Sequence, residues 1–248
     1  MRFHTLILAL IVVAGCATTD PVTSRLETTP RHNEWAQVSR AGRVIHTYVA
    51  YPEIATKAPA VILIHENRGL TDFERSVADR LAENGFIALA PDLLSGMAPG
   101  GGRTSDFASQ DAAREGIGKL PRPQVLADLH AVADYANALP ASSGTLHVAG
   151  FCWGGAQTWL FANDRRDLGA AYVFYGTGPQ EAAGITDISA PVYGFYGGND
   201  ARVNATISKT EELMRAAGKT FDKVIYEGAG HAFMRSGMAA DASEANKR

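Results

Sequence analysis

Short apolar runs alternate along the chain with stretches in which apolar and polar residues recur at helical spacing. Apolar runs bounded by glycine, proline or polar residues are typical of buried β-strands. The predicted strands are residues 44–49, 60–64, 86–90, 145–149, 170–175, 192–196 and 224–226. The predicted helices are residues 72–84, 125–139, 154–161 and 205–217. This alternation predicts an α/β fold, in which a mostly parallel sheet with right-handed crossovers carries helices on both faces.

Two stretches depart from the alternation. Residues 96–123 are rich in glycine, proline and polar side chains, so they are predicted to be the least regular part of the body. Asp241 and Glu244 have the spacing of a helix start. Because the sequence ends at Arg248, we expect a closing helix to be either very short or missing.

The N-terminus has the pattern of a bacterial export signal. Arg2 supplies a positive start, residues 5–13 are almost wholly apolar, and small residues lead into Cys16. The apolar run is too short to span a membrane but suits a signal peptide. Its ending resembles a lipobox, which predicts that residues 1–15 are removed and that Cys16 is lipidated. An ordinary secretory signal with an accidental cysteine is the alternative.

These features predict an exported protein that a lipid anchor on Cys16 holds to a membrane, facing the periplasm or the cell exterior. The polar residues 16–33 would form a flexible tether. Residues 34–248 would then form a single α/β domain.

Composition narrows the classes of partner. The 248 residues are 46% hydrophobic, which suits one domain with a substantial core. The net charge is −3 and the two signs are mixed along the chain, so no basic run predicts nucleic-acid binding. We expect a monomer that acts on a small molecule.

Cysteine usage leaves one thiol to be explained. Of the two cysteines, Cys16 belongs to the export signal, so Cys152 has no intramolecular disulfide partner. Cys152 is therefore either an inert buried thiol or a functional one. A redox role is less favoured, because no resolving cysteine would be present. No spacing of His, Cys and Asp resembles a zinc site, so no metal is predicted.

The surroundings of Cys152 favour a functional thiol. The segment Gly150-Phe-Cys152-Trp-Gly154-Gly155 directly follows a predicted strand and precedes a predicted helix. A nucleophile with glycines two residues to either side is typical of a nucleophile elbow, since a Cβ at those positions would collide with the strand or the helix. The tight turn also aims N–H groups at the helix start, where a developing oxyanion can bind. A merely structural turn is the alternative.

Two further residues follow later predicted strands. Asp200 comes after Gly197-Gly198-Asn199, and His231 comes after Gly228-Ala-Gly230. The chain order of nucleophile, acid and base is that of α/β-hydrolases. The carboxyl ends of parallel strands meet at one edge of the sheet, so Cys152, Asp200 and His231 are predicted to form a catalytic triad there.

Residues 43–236 resemble the dienelactone hydrolases, a family of α/β-hydrolases with a cysteine in the elbow. The resemblance is carried by the elbow and by the motifs His65-Glu-Asn-Arg-Gly69, Pro91-Asp-Leu93, Tyr175-Gly-Thr-Gly178, Gly198-Asn-Asp200 and Gly230-His-Ala-Phe233. It implies an α/β-hydrolase fold that cleaves lactone or carboxylic ester bonds without a metal or an organic cofactor.

The resemblance also implies roles for residues outside the triad. Glu66 would contact the resting thiol and change position when substrate binds, so that the thiolate forms. The alternative is that Glu66 simply pairs with Arg68 or another nearby basic residue. The N–H groups of Asn67 and Trp153 would form the oxyanion hole.

Substrate recognition departs from the family pattern. Arg235 falls at one of two arginine positions that hold a substrate carboxylate in the family, and Tyr175 is a further predicted substrate-binding residue. Gly96 replaces the second arginine, so the two-sided clamp is absent. Arg68 or Arg103 could substitute for it.

Two competing functions remain open from the sequence. A thioesterase or a thiol-dependent peptidase could use the same scaffold and triad. A non-catalytic binding lipoprotein could retain the fold without the reaction.

Overall fold

Eight strands form one sheet in a computed structural model, which describes residues 20–247. The strands are β1 (Asn33–Arg40), β2 (Arg43–Ala50), β3 (Ala58–Ile64), β4 (Ile87–Pro91), β5 (Ser142–Phe151), β6 (Leu168–Phe174), β7 (Val192–Gly197) and β8 (Phe221–Tyr226). Their order in the sheet is β1-β2-β4-β3-β5-β6-β7-β8. The predicted export signal and Cys16 lie outside the described residues.

Six of the strands run parallel, from β4 at one side to β8 at the other edge. The hairpin of β1 and β2 adds two antiparallel strands beside β4. The predicted mostly parallel sheet is therefore confirmed. Each pair of adjacent parallel strands requires a crossover connection, and helices form most of these connections.

Seven α-helices are described along the chain. They are α1 (Pro21–Thr28), α2 (Asp72–Glu83), α3 (Gln110–Lys119), α4 (Arg122–Ala138), α5 (Trp153–Asp164), α6 (Ala201–Ala216) and α7 (Phe233–Gly237). None of the helices within residues 20–247 combines the length and apolar character that crossing a membrane requires.

The core lies on both faces of the sheet because successive strand residues point to opposite sides. In β3, Ile62 and Ile64 pack in one cluster, with residues of α4 and α5. Val61 and Leu63 pack in the other cluster, with residues of α2 and α7. This two-sided burial explains why the central strands are continuous apolar runs.

The structure corrects the predictions from the sequence at two places. Residues 96–123, predicted to be irregular, contain α3 and the start of α4. Residues 16–33, predicted to be a flexible tether, contain α1 and the first residue of β1, a strand that was not predicted. Residues 241–247 form turns and no helix, which is one of the two outcomes expected for this segment.

Helix α1 is stabilised by tertiary contacts more than by its own sequence. Its polar residues are all at least partly exposed, and eight residues are too few for a stable isolated helix. Asp79 in α2 is buried and binds the segment: Arg31 donates to it through Nε and Nη2, each at 2.8 Å, and Arg25 Nε lies 2.6 Å from it. Thr29 also donates to Asp79.

The Asp79 carboxylate should therefore contribute to stability. Burial alone would raise the pKa of Asp79, but hydrogen bonds from Arg31 and Thr29 outweigh it and hold the pKa below 3.8. The stabilisation is thus present above pH 3.8 and is lost as the pH falls through the lowered pKa.

We predict that Asp79→Asn lowers the free energy of unfolding by about 1.5–3 kcal/mol, the usual contribution of hydrogen bonds to a charged group. Urea denaturation at pH 7 would measure the change. Asp134→Asn is the matched control, because its exposed pair with Arg165 should contribute less than about 1 kcal/mol. Equal losses in the two variants would contradict the prediction.

Candidate active site

Cys152 occupies a strained turn between β5 and α5. Its φ is 54° and its ψ is −111°, a conformation that L-residues seldom adopt. A Cβ on Gly150 would lie 2.2 Å from the carbonyl oxygen of Gly154, and one on Gly154 would lie 2.1 Å from the carbonyl oxygen of Ile64. Both glycines are therefore sterically required, as the elbow motif predicted.

The structure brings the three predicted triad residues together. Nε2 of His231 lies 3.0 Å from Sγ of Cys152, and Nδ1 of His231 lies 2.5 Å from Oδ2 of Asp200. Asp200 follows β7 and caps α6, where Oδ1 accepts the N–H of Val203. His231 lies between β8 and α7. The side chain of Asp200 is buried, whereas that of His231 is one-third exposed.

This arrangement favours a charged imidazole. The hydrogen bond with Cys152 raises the pKa of His231 most, burial lowers it, and the hydrogen bond with Asp200 raises it again, to about 9. An imidazolium beside the sulfur stabilises a thiolate electrostatically. The arrangement can therefore hold a charged imidazole, a proton donor, beside the Cys152 sulfur at neutral pH.

Glu66 lies beside the triad, but its partners are not those that the resemblance implied. Tyr175 donates its hydroxyl to Oε1 at 3.2 Å, and Arg235 donates Nε to Oε2 at 2.9 Å. Within residues 20–247, the hydrogen-bond partner of the Cys152 sulfur is His231 and not Glu66. The pairing of Glu66 with a nearby basic residue is thus observed, although the residue is Arg235 rather than Arg68.

Tyr175 is fully buried and packs its ring edge-on against His231, with centroids 5.3 Å apart. Burial, together with the Glu66 carboxylate, raises the pKa of Tyr175 well above its usual value. Its hydroxyl therefore stays protonated and donates to Glu66. Tyr175, which was predicted to bind substrate, is thus buried against His231 and Glu66.

The two predicted oxyanion donors are the backbone N–H groups of Asn67 and Trp153. Within the described part of the chain, the N–H groups of Asn67 and Trp153 donate to no protein acceptor. Trp153 is the first residue of α5, so its N–H is among those that a helix leaves unpaired. Asn67 follows β3, the strand next to β5. The two predicted oxyanion donors thus come from adjacent strand ends.

A cavity of about 800 Å³ is lined in part by Arg68 and by Arg235, the partner of Glu66, but by none of Cys152, Asp200 and His231. The Arg235 side chain is one-third exposed, and Arg68 donates to the neutral side chain of Gln110. Arg103 instead places its guanidinium 4.0 Å above the ring of Trp35 and does not line this cavity. Of the two proposed substitutes for the missing arginine, Arg68 is the one that shares a cavity with Arg235.

Gly96 has a φ of +79°, and a Cβ there would lie 3.3 Å from Nη1 of Arg43. Arg43 is already bound to Asp128 and to the carbonyl oxygen of Leu93.

Residues 20–247 contain no group of three or more His, Cys, Asp or Glu side chains arranged as a metal site.

Two buried side chains to which the sequence analysis assigned no role contact the backbone of Glu66. His65 Nδ1 lies 2.7 Å from the Glu66 carbonyl oxygen, and Glu74 Oε1 accepts the Glu66 N–H at 3.0 Å. Glu74 forms a capping box with Thr71, and the Thr-x-x-Glu spacing could have indicated that local contact. Its burial beside Glu66 depends on tertiary packing.

Comparisons with known proteins agree with the geometry. The model of the "Dienelactone hydrolase family" matches residues 45–248. A Methylorubrum extorquens protein named "Putative carboxymethylenebutenolidase" is 35% identical over 205 residues, covering 77% of this chain and 68% of that protein. The carboxymethylenebutenolidase of Pseudomonas putida is 29% identical over 214 residues, covering 82% of this chain and 89% of that enzyme.

A solved structure is similar over the same region. The crystal structure titled as a "Putative Dienelactone Hydrolase" from Klebsiella pneumoniae superposes with a TM-score of 0.76 at 30% identity. The superposition covers 88% of this chain and 94% of the Klebsiella chain. The shared sheet, the elbow and the family match support one conclusion: the chain belongs to the dienelactone hydrolase family, a family of α/β-hydrolases.

Proposed function

We propose that the protein hydrolyses a carboxylic ester or a lactone with Cys152 as nucleophile, His231 as general base and acid, and Asp200 as the group that orients His231. The observation that carries the proposal is the position of His231, with one ring nitrogen 3.0 Å from the Cys152 sulfur and the other 2.5 Å from Asp200. A base held between a nucleophile and a buried carboxylate is the arrangement that nucleophilic catalysis requires.

In the first half of the reaction, the Cys152 thiolate attacks the acyl carbon while His231 holds the proton. The carbonyl electron pair moves onto oxygen, and the N–H groups of Asn67 and Trp153 bind the oxyanion. When the intermediate collapses, the C–O bond breaks and His231 protonates the leaving oxygen. The products of this half are a thioester on Cys152 and an alcohol, which in a lactone stays attached to the acyl group.

In the second half, neutral His231 removes a proton from water as the water oxygen attacks the thioester. The same N–H groups bind the second oxyanion. Collapse breaks the C–S bond and releases a carboxylic acid, and the sulfur leaves as a thiolate beside protonated His231. The ion pair that began the cycle is restored, and no external oxidant or reductant is needed.

Glu66 remains a predicted catalytic residue in this proposal. Its carboxylate is held by Arg235 and Tyr175, so a substrate carboxylate that bound Arg235 would compete for the same guanidinium. That competition supports a change in the position of Glu66 on substrate binding.

We predict that Cys152→Ala lowers kcat for p-nitrophenyl acetate by more than about 10³-fold, because no other group can form the thioester. Hydrolysis of the ester, of a dienelactone, of a thioester and of a peptide would be assayed in parallel. Alkylation of the wild type with iodoacetamide should abolish the same activities. Full turnover by a folded Cys152→Ala variant would refute the mechanism, and turnover of the ester alone would retain the mechanism with a different substrate.

The pKa of His231 provides a second prediction. In the wild type, NMR titration of His231 should give a pKa near 9. In Cys152→Ala this pKa should be lower, because the hydrogen bond with the Cys152 sulfur is the largest cause of the increase. Since the folded-state pKa exceeds that of the unfolded chain, about 6.5, the stabilisation is complete below pH 6.5 and is lost as the pH rises through 9. The Tm should therefore fall more between pH 7 and 10 in the wild type than in the variant. Equal falls would contradict the ion pair.

The cavity geometry predicts which arginine affects the binding of anionic substrates. Arg68→Gln should raise KM for a carboxylate-bearing lactone about tenfold and leave KM for neutral p-nitrophenyl acetate unchanged, because it removes a cation near Arg235. Arg103→Gln is the matched control, since Arg103 lies against Trp35. A larger effect from Arg103→Gln would exclude Arg68 as the second anchor.

A further inference from the structure

We propose that His65 and Glu74 are positioning residues that hold the backbone around Glu66 so that the N–H of Asn67 points at the oxyanion. The inference rests on the proposed function, because it concerns the oxyanion site of the Cys152 reaction. It gives a role to His65 and Glu74, two buried polar side chains that take no direct part in the proposed reaction.

The hydrogen bonds of His65 define its tautomer. The ring is fully buried, and Nε2 lies 3.3 Å from the N–H of Leu93, which can only donate. Nε2 must therefore accept, so the proton of the neutral ring is on Nδ1. Nδ1 then donates to the carbonyl oxygen of Glu66 at 2.7 Å.

That hydrogen bond also sets the direction of the next N–H. The peptide between Glu66 and Asn67 is trans, and in a planar trans peptide the C=O and the N–H point in opposite directions. By holding the carbonyl oxygen of Glu66, His65 fixes the direction in which the Asn67 N–H points. A rotation of this peptide would turn the oxyanion donor away.

Glu74 holds the other side of the same residue. Oε1 accepts the N–H of Glu66 at 3.0 Å, and Oε2 accepts both the N–H and the hydroxyl of Thr71. Burial raises the pKa of Glu74, but Oε1 can accept in either protonation state because a proton on Oε2 would be donated to the Thr71 hydroxyl. Both backbone polar atoms of Glu66 are thus held by buried side chains.

His65 also contacts the opposite half of the oxyanion site. Its ring stacks on the indole of Trp153, with centroids 5.5 Å apart and an interplanar angle of 16°. Trp153 supplies the second N–H at the start of α5. One buried ring therefore fixes the Asn67 donor by a hydrogen bond and packs against the residue that supplies the Trp153 donor.

The test separates the oxyanion site from the thiolate. Hydrolysis of p-nitrophenyl acetate needs the oxyanion site, whereas alkylation of Cys152 by iodoacetamide forms no oxyanion and needs only the thiolate. We would measure kcat, KM and the alkylation rate for His65→Leu and Glu74→Asp, which remove the contacts with Glu66. His65→Gln and Glu74→Gln, which can retain them, are the conservative variants.

One donor of this kind is worth about 10²–10³ in kcat, and misalignment removes part of it. We therefore expect His65→Leu and Glu74→Asp to lower kcat about 10- to 100-fold, with KM and the alkylation rate within about twofold of wild type. The glutamine variants should recover most of the loss. Asp79→Asn is the matched control, because it removes a buried carboxylate elsewhere on α2 and should leave kcat unchanged.

Wild-type kcat in folded His65→Leu and Glu74→Asp would overturn the proposal while leaving the triad mechanism intact. Parallel losses of turnover and alkylation would also overturn it, since they would indicate general disruption of the site. If His65→Leu does not fold, Glu74→Asp decides the question, because it keeps the buried carboxyl and shortens its reach. A wild type without turnover that depends on Cys152 would refute the proposed function as well.

Discussion

The site depends on how closely the first turn of α5 approaches the carboxyl end of β3. The contact is possible because Gly154 has no side chain: a Cβ there would lie 2.1 Å from the carbonyl oxygen of Ile64. The approach brings the elbow beside the loop that carries Glu66 and Asn67. If α5 were displaced by the width of a methyl group, the two predicted oxyanion donors would move apart. The Trp153 N–H is at the start of α5, whereas the Asn67 N–H follows β3.

The parallel sheet explains how residues far apart in the chain reach one site. The side chains come from the carboxyl ends of β3, β5, β7 and β8, which lie along one edge of the sheet. Cys152 and His231 are 79 residues apart, and Glu66 and Arg235 are 169 apart, yet each pair is in contact. The candidate catalytic groups therefore need little local structure beyond the turns that follow these strands.

The sequence predicted the elements whose signals are local. The buried strands are continuous apolar runs, and the elbow, Asp200 and His231 are each preceded by glycine-containing turns. Strand β1 was missed because only Val38 of its residues is buried, which leaves no alternation to detect. Helix α1 was missed because Asp79, about 50 residues away, holds the loop that follows it.

The same distinction applies inside the site. Glu66 was identified by its motif, but its partner could not be, because Arg235 reaches it only through the fold. From the sequence alone, Glu74 resembles an ordinary exposed residue in the first turn of a helix. Its burial is evident only from the packing of the folded chain. Candidate catalytic residues could thus be identified from short motifs, whereas the contacts that hold them in place could not.

The geometry of the elbow does not depend on the sulfur that it presents. The N–H of Cys152 donates to the carbonyl oxygen of Phe174, and the flanking turn is shaped by Gly150 and Gly154. These restraints act on the main chain and would apply equally to another small side chain at this position. The scaffold therefore specifies where a nucleophile stands and leaves its identity free, so that exchanging it changes reactivity more than architecture.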